Sequence, residues 1–159
     1  MRKRGSYKKR ERQGDPEYNR VDVSRFVNYL MTGGRKNAAE KAFYGALKVI
    51  SKQSKEEPIK VFERAIANAS PLVEVRSRRV GGANYQIPQE VAPDRQFFLA
   101  THWIISAARS KKGKPIAEKL AEELLAASKG EGAAIKKKQD THRMAEANRA
   151  FASFLRKKR

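Results

Sequence analysis

Apolar residues recur at helical spacing in six stretches of this chain, and a single β-prone run interrupts them. Val23, Phe26, Val27, Leu30 and Met31 follow an i, i+3, i+4, i+7, i+8 stripe, which on a 3.6-residue period is one face of a helix. Asp22 is placed to cap its start, and Thr32-Gly33-Gly34 to stop it. Ala39, Ala42, Phe43, Ala46, Leu47 and Ile50 form a second stripe, running to about Lys52. Pro58 opens a third helix, where a missing N–H costs nothing. It carries Ile59, Phe62, Ile66 and Ala69 and must end before Pro71. Pro93-Asp94 opens a fourth with Phe97, Phe98, Leu99, Trp103, Ile104, Ile105 and Ala108. That helix is apolar nearly all round, which predicts a place at the centre of a bundle. Pro115 opens a fifth with Ile116, Leu120, Leu124 and Leu125, closed by Gly130. The last begins after Gly132 and shows Met144, Ala147, Phe151 and Phe154. The chain has 159 residues, enough for one domain with a real core. The expected fold is therefore mainly α: a single-domain bundle of about six helices over residues 15–155.

The interruption is residues 72–91. Leu72-Val73-Glu74-Val75-Arg76-Ser77-Arg78-Arg79-Val80 and Ala83-Asn84-Tyr85-Gln86-Ile87-Pro88-Gln89-Glu90-Val91 flank Gly81-Gly82. Two such runs around a glycine pair predict a hairpin between the third and fourth helices, since primed turns need positive φ. A two-residue turn puts Glu74, Arg76 and Arg78 on one face with Tyr85 and Ile87. The other face then holds Val73, Val75 and Arg79 opposite Asn84, Gln86 and Pro88. Neither face is uniformly apolar, so the ribbon is expected to protrude and to need a partner along its outer part.

Charge decides which partner. Lys and Arg number 36 against 17 Asp and Glu, a net +19, with a pI near 10.4. Such a balance calls for a polyanion: nucleic acid first, an anionic membrane surface second. Residues 1–14 hold seven cations, Arg2, Lys3, Arg4, Lys8, Lys9, Arg10 and Arg12, against Glu11 alone. With almost nothing to bury and mutually repelling charges, this arm is expected to stay disordered until it meets its partner. The run Arg156-Lys157-Lys158-Arg159 forms a second basic tail. A mean hydropathy of −0.76 and the lack of any long apolar run predict no bilayer span. Cysteine is absent, which excludes a disulfide framework, thiolate metal ligation and a cysteine nucleophile.

The chemistry on offer is recognition of phosphates and bases. Arg76, Arg78 and Arg79 lie beside the glycine turn and Tyr85; arginine grips phosphate bidentately and stacks on bases, and a tyrosine adds a platform. An edge strand protected by charge is the alternative reading of the same residues. Further clusters are expected at connections: Gly33-Gly34-Arg35-Lys36, Lys111-Lys112-Gly113-Lys114 and Lys136-Lys137-Lys138. The first two precede helices, whose N-termini favour anions. Several separate basic surfaces suit a large folded polyanion better than one straight duplex.

No catalytic constellation accompanies them. His102 lies in the apolar fourth helix, and His142 follows a lysine run in which Asp140 reads as a cap. Glu122 and Glu123 are adjacent and face different ways on a helix. No P-loop, GxGxxG or HExxH pattern occurs. No cofactor, metal or small-molecule substrate is expected. Three classes remain: a ribosomal RNA-binding scaffold, a DNA-architectural protein using a β-arm in the minor groove, and a nuclease or RNA-modifying enzyme. A DNA bender needs one basic saddle and a scaffold needs several; an enzyme needs an acid or histidine cluster.

Specific strings then add a resemblance. Residues Val73 to Pro88, VEVRSRRVGGANYQIP, are similar to the hairpin of the bacterial-type small-subunit ribosomal protein seven family. Asp140 to Ala152, DTHRMAEANRAFA, resembles that family's final helix. Gly34-Arg35-Lys36 with Ala39-Glu40-Lys41 and Tyr44-Gly45-Ala46-Leu47, and Asp15-Pro16-Glu17-Tyr18, match further parts. Where the family commonly shows Gly-Lys followed by Lys or Arg, this chain has Gly34-Arg35-Lys36, which preserves the charge. The resemblance implies a non-enzymatic helical protein that binds the three-prime major domain of small-subunit ribosomal RNA and nucleates assembly of the head. It implies ribosomal RNA contact at the arm, at Arg35, Lys36, Arg76, Arg78, Arg79, Lys111, Lys112 and Lys114, and at Lys136, Lys137 and Arg143. It implies proximity to exit-site tRNA and messenger RNA for Gly81, Gly82, Ala83, Asn84, Tyr85, Lys138 and Arg149. Neighbouring small-subunit proteins nine and eleven, no membrane, and a ribosome in the cytoplasm or in an organelle complete the expectation.

Overall fold

Phe26, Phe43 and Phe62, one from each of the first three predicted helices, meet in the core with ring centroids 5.2–5.4 Å apart. All three are essentially inaccessible to solvent, and burying each contributes about 1.5–3 kcal/mol. The computed structural model describes residues 12–80 and 82–155. The arm cations Arg2, Lys3, Arg4, Lys8, Lys9 and Arg10, the turn residue Gly81 and the tail 156–159 therefore lie outside the described residues.

The elements run α1 (Val21–Leu30), α2 (Lys36–Gln53), α3 (Pro58–Ala69), β1 (Val73–Val80), β2 (Ala83–Glu90), α4 (Pro93–Ser110), α5 (Ile116–Ser128) and α6 (Ala133–Ala147). A 3-10 helix, Arg149–Leu155, follows. Pro58 and Pro93 occupy first-turn positions as expected, while Pro115 is the cap residue of α5. Asp22 is not the cap residue: α1 starts at Val21, with Arg20 before it, although Asp22 Oδ1 accepts the Val23 N–H at 3.0 Å. Asp22 sits in the first turn, where a carboxylate complements the helix dipole, and is gripped by Arg20 at 2.7 and 3.0 Å.

The centre of the bundle is shared. The nearly all-apolar α4 touches α1, α3, α5 and α6, whereas α5 touches α2, α3, α4 and α6. Leu120, Ala121, Leu124 and Ala127 of α5 are fully buried, but Phe97, Phe98 and Trp103 of α4 are only half-buried. Close packing of α2 on α5 depends on Gly45, where an added Cβ would lie 3.1 Å from the Ala117 methyl.

The hairpin register is Val73↔Glu90 through Val80↔Ala83, leaving two residues for the turn. Gly82 adopts φ +91°, a conformation that favours glycine. Arg76 and Arg78 thus pair with Ile87 and Tyr85 on one face, and Arg79 with Asn84 on the other. The ribbon also has an intramolecular partner that its sequence does not announce. Ile87 is 1% exposed, α6 packs on both strands, the 3-10 helix runs along β2, and the Phe151 ring lies 5.3 Å from Tyr85.

Two expectations for the last helix are corrected. Its buried side is Ala134, Ile135, Thr141 and Ala145, while Met144 is 48% exposed. Lys136, Lys137 and Lys138 lie within α6 rather than at a connection, and Asp140 is mid-helix rather than a cap.

Candidate nucleic-acid interface

Arg76, Arg78 and Arg79 are all exposed, and the alternation of a strand sends them to both sides of the ribbon. Arg76 and Arg78 line a hollow of about 330 Å³ with Ser77, Ile87 and Gln89. Asn84, Gly82 and Ala83 are exposed at the tip and Tyr85 is half-buried. Among the cations of α6, Lys136, Lys137 and Arg143 are exposed. Lys138 is directed inward, donating to the Asn68 carbonyl at 2.7 Å at the end of α3. Arg149 pairs with Glu146 at 3.3 Å.

The base of the ribbon is locked to α6. The Leu72 N–H donates to His142 Nε2 at 3.1 Å, so the imidazole is neutral there with its proton on Nδ1. Burial, followed by the Lys138 ammonium, pushes the His142 pKa below its ordinary value. Glu74 and Arg95 form an ion pair at 3.4 Å between β1 and α4.

A second basic region forms at the other end of α4. The 32–36 and 111–116 turns are brought to one end of the bundle, where Thr32, Gly33, Arg35, Arg109 and Ile116 share the wall of a cavity of about 510 Å³. Arg109 donates to the Leu30 carbonyl at 2.9 Å and to Thr32 Oγ1 at 3.0 Å, satisfying the end of α1. At 1.5 Å per residue, the 18 residues of α4 hold this region about 27 Å from the hairpin base.

The cations here differ in what holds them. Arg35 and Lys112 are exposed, and Lys36 reaches Glu40 at 3.7 Å. Lys114 hydrogen-bonds Glu122, an interaction that raises the lysine pKa and lowers that of the carboxyl. Lys111 lies 3.6 Å from Glu122 and 3.2 Å from Glu123. Glu123 is the residue that sequence reasoning missed. It is 1% exposed and accepts the Ala134 N–H at 3.1 Å, so a neighbouring helix supplies the cap that Gly132 cannot. The glycine is required twice over: its φ is +96°, and a Cβ would lie 2.9 Å from Glu123 Oε1. A small residue before a helix facing a mid-helix glutamate is the only signal, and it needs the fold to be read.

The Asp15-Pro16-Glu17-Tyr18 string has a structural duty as well. Asp15 is 4% exposed and accepts from the N–H groups of Glu17 and Tyr18 and, at 2.6 Å, from the Tyr44 hydroxyl. Burial and that hydrogen bond push the Tyr44 pKa up. His102 stacks against Phe98 and Tyr29. Among the described residues, no group of His, Asp and Glu is arranged to hold a metal ion, and no helix is long and apolar enough to cross a membrane.

Comparison with known proteins fits this distribution of charge. The family described as ribosomal protein S7p/S5e matches residues 1–149. The chain is 53% identical over 154 residues to the small ribosomal subunit protein uS7 of Magnetococcus marinus, covering 97% of this chain and 99% of that one. It is 51% identical to the protein of that name from Thermotoga maritima over the same shares. The Fervidobacterium nodosum protein of that name is 56% identical over 140 residues, 88% of this chain and 90% of the relative. A helical bundle with an arginine-bearing hairpin, matched over nearly its whole length, is a member of the ribosomal protein S7p/S5e family.

Proposed function

We propose that this chain, a structural and non-enzymatic constituent of the small ribosomal subunit that binds its RNA, nucleates the head by gripping the three-prime major domain of that RNA at two separated basic regions. The observation that carries the reading is that α4, about 27 Å long, separates the base of the hairpin from the second basic region. Arg76, Arg78 and Arg79 are at the hairpin, and Arg35, Lys36 and Lys112 are at the opposite end. A folded RNA with more than one helix can meet both ends of such a body at once. The arm of residues 1–14, Lys136, Lys137 and Arg143 extend the grip, and the basic tail 156–159 adds charge to it. The hairpin tip, Gly82 to Tyr85, with Arg149 on the 3-10 helix that packs along β2, faces exit-site tRNA and messenger RNA, and small-subunit proteins nine and eleven flank the body.

The test is binding of the full chain to separate transcripts of the five-prime and three-prime major domains, followed by chemical probing. Preference for the three-prime domain, with protections in two separated patches, is expected. Equal binding to both transcripts, or one continuous patch, would overturn the two-ended grip.

A further inference from the structure

Resting on the reading that the chain binds small-subunit RNA, we infer that a cavity beside α1 is a receptacle for one unpaired nucleotide. The cavity, about 390 Å³, is lined by Arg12, Gln13, Ser24, Arg25, Asn28 and Tyr29. Its size falls within the roughly 300–1,000 Å³ of small-ligand sites. The lining brings together two amide residues, each able to donate and accept, a serine, a tyrosine and two arginines. Amides read the edges of a base, a tyrosine ring stacks on its face, and arginine takes the phosphate. A smaller anion would leave the amides and the ring unused.

Arg25 is the strongest sign that the cavity is built for a ligand. Its side chain is 17% exposed and lies 3.1 Å from Asp94. Its guanidinium carbon sits 4.5 Å over the Phe97 ring. Ring and carboxylate together fix the group before anything binds, which removes most of the ordering entropy an exposed arginine would lose. Yet its Nε is buried and finds no hydrogen-bond acceptor among the described residues. Buried donors without partners are rare, and this one belongs to a residue of the cavity wall. Tyr29 of the wall in turn packs with Phe97, Phe98 and His102, which holds its ring in place. Arg12 stands at the rim, directly after the most basic stretch of the sequence, which concentrates RNA at this position.

The test separates stacking from charge. Asn28 is exposed, so Asn28→Trp fills the cavity without entering the core, and circular dichroism with a melting curve checks the fold. Binding to a small-subunit three-prime major domain transcript is measured from 50 to 200 mM salt, with nucleotide-resolution probing. The expected result is a loss of affinity on the order of 10- to 100-fold, with the salt slope falling by no more than the roughly 0.7–0.9 of a single phosphate. One unpaired nucleotide should lose protection in this variant and in Arg25→Lys, which keeps the charge. Unchanged affinity, a fall in slope worth several phosphates, or weakening spread over the whole footprint would each overturn the site. Failure of the unaltered chain to bind the transcript would instead overturn the RNA-binding reading on which the site depends.

Discussion

Glu123, buried on α5, accepts the backbone N–H of Ala134 in α6 at 3.1 Å. One carboxylate thereby fixes where the last helix begins, and with it the surface that carries Lys136, Lys137 and Arg143 and the lock at His142. The same carboxylate lies 3.2 Å from Lys111, so that lysine is already committed to the protein before RNA arrives.

Breaking this arrangement should be costly. Glu123→Ala leaves the Ala134 N–H without its acceptor, a loss of about 1–3 kcal/mol; Lys111 keeps Glu122 at 3.6 Å. Glu123→Gln can still accept from Ala134 and should lose less. Gly132→Ala forces both a positive φ and a clash, and should also destabilise. Urea unfolding of the three variants checks the order; a Glu123→Ala protein as stable as the parent would contradict it.

The lock at the hairpin base should depend on pH. The folded-state pKa of His142 is lowered, so the folded protein prefers the neutral imidazole that accepts from Leu72. Its contribution is fully present above the ordinary value of about 6.5 and is lost as pH falls below it. Stability should therefore decline from pH 7 toward pH 5.5 more steeply in the parent than in His142→Gln, which accepts without titrating. Leu72 amide shifts followed by NMR report the site directly. Parallel stability profiles for the two proteins would remove His142 from the account.

Cations that look alike in sequence should not contribute alike. Arg76→Ala, Arg78→Ala and Arg79→Ala combined should lower the salt slope by about 0.7–0.9 for each phosphate left without its cation. Lys111→Ala with Lys114→Ala should change it less, because both lysines face Glu122. Affinity measured at several salt concentrations distinguishes them. An equal fall in slope for both sets would mean that the ion pairs to Glu122 and Glu123 open on binding.

Shortening the ribbon should spare the body. Removing Arg78 to Asn84 leaves Ile87 and Val91, the hairpin's buried anchors, in place. The cost includes the outer strand pairing and the packing of Tyr85 on Phe151, and each kcal/mol of destabilisation lowers the melting temperature by about 2–4 °C. The truncated chain should still join reconstituted subunits and retain exit-site tRNA less well. A collapse of helical signal would show that the ribbon holds the bundle together.

What the sequence discloses follows from how far apart the cooperating residues lie. Val23, Phe26, Val27 and Leu30 announce α1 because their spacing is local, and all four are buried as expected. Gly81-Gly82 announces the turn for the same reason, but a bulged turn would swap the faces of the ribbon, so its register comes from the fold. The last helix misleads because alanine carries its buried side at positions 134 and 145, while the larger Met144 points outward. The cover over Tyr85 comes from Phe151, and the cap of α6 from Glu123; neither partner has a local signature. Basic clusters are legible as charge, but their partition between RNA and protein depends on Glu122, Glu123 and Asn68, which only the fold brings to them.

The central claim, that the chain's distributed cations grip folded ribosomal RNA through many phosphates, is tested most directly by the salt dependence of its binding to the three-prime major domain transcript. With about 6–10 phosphate contacts, affinity should fall on the order of 10³–10⁵ between 50 and 200 mM salt. An affinity that stays level across that range would contradict the account.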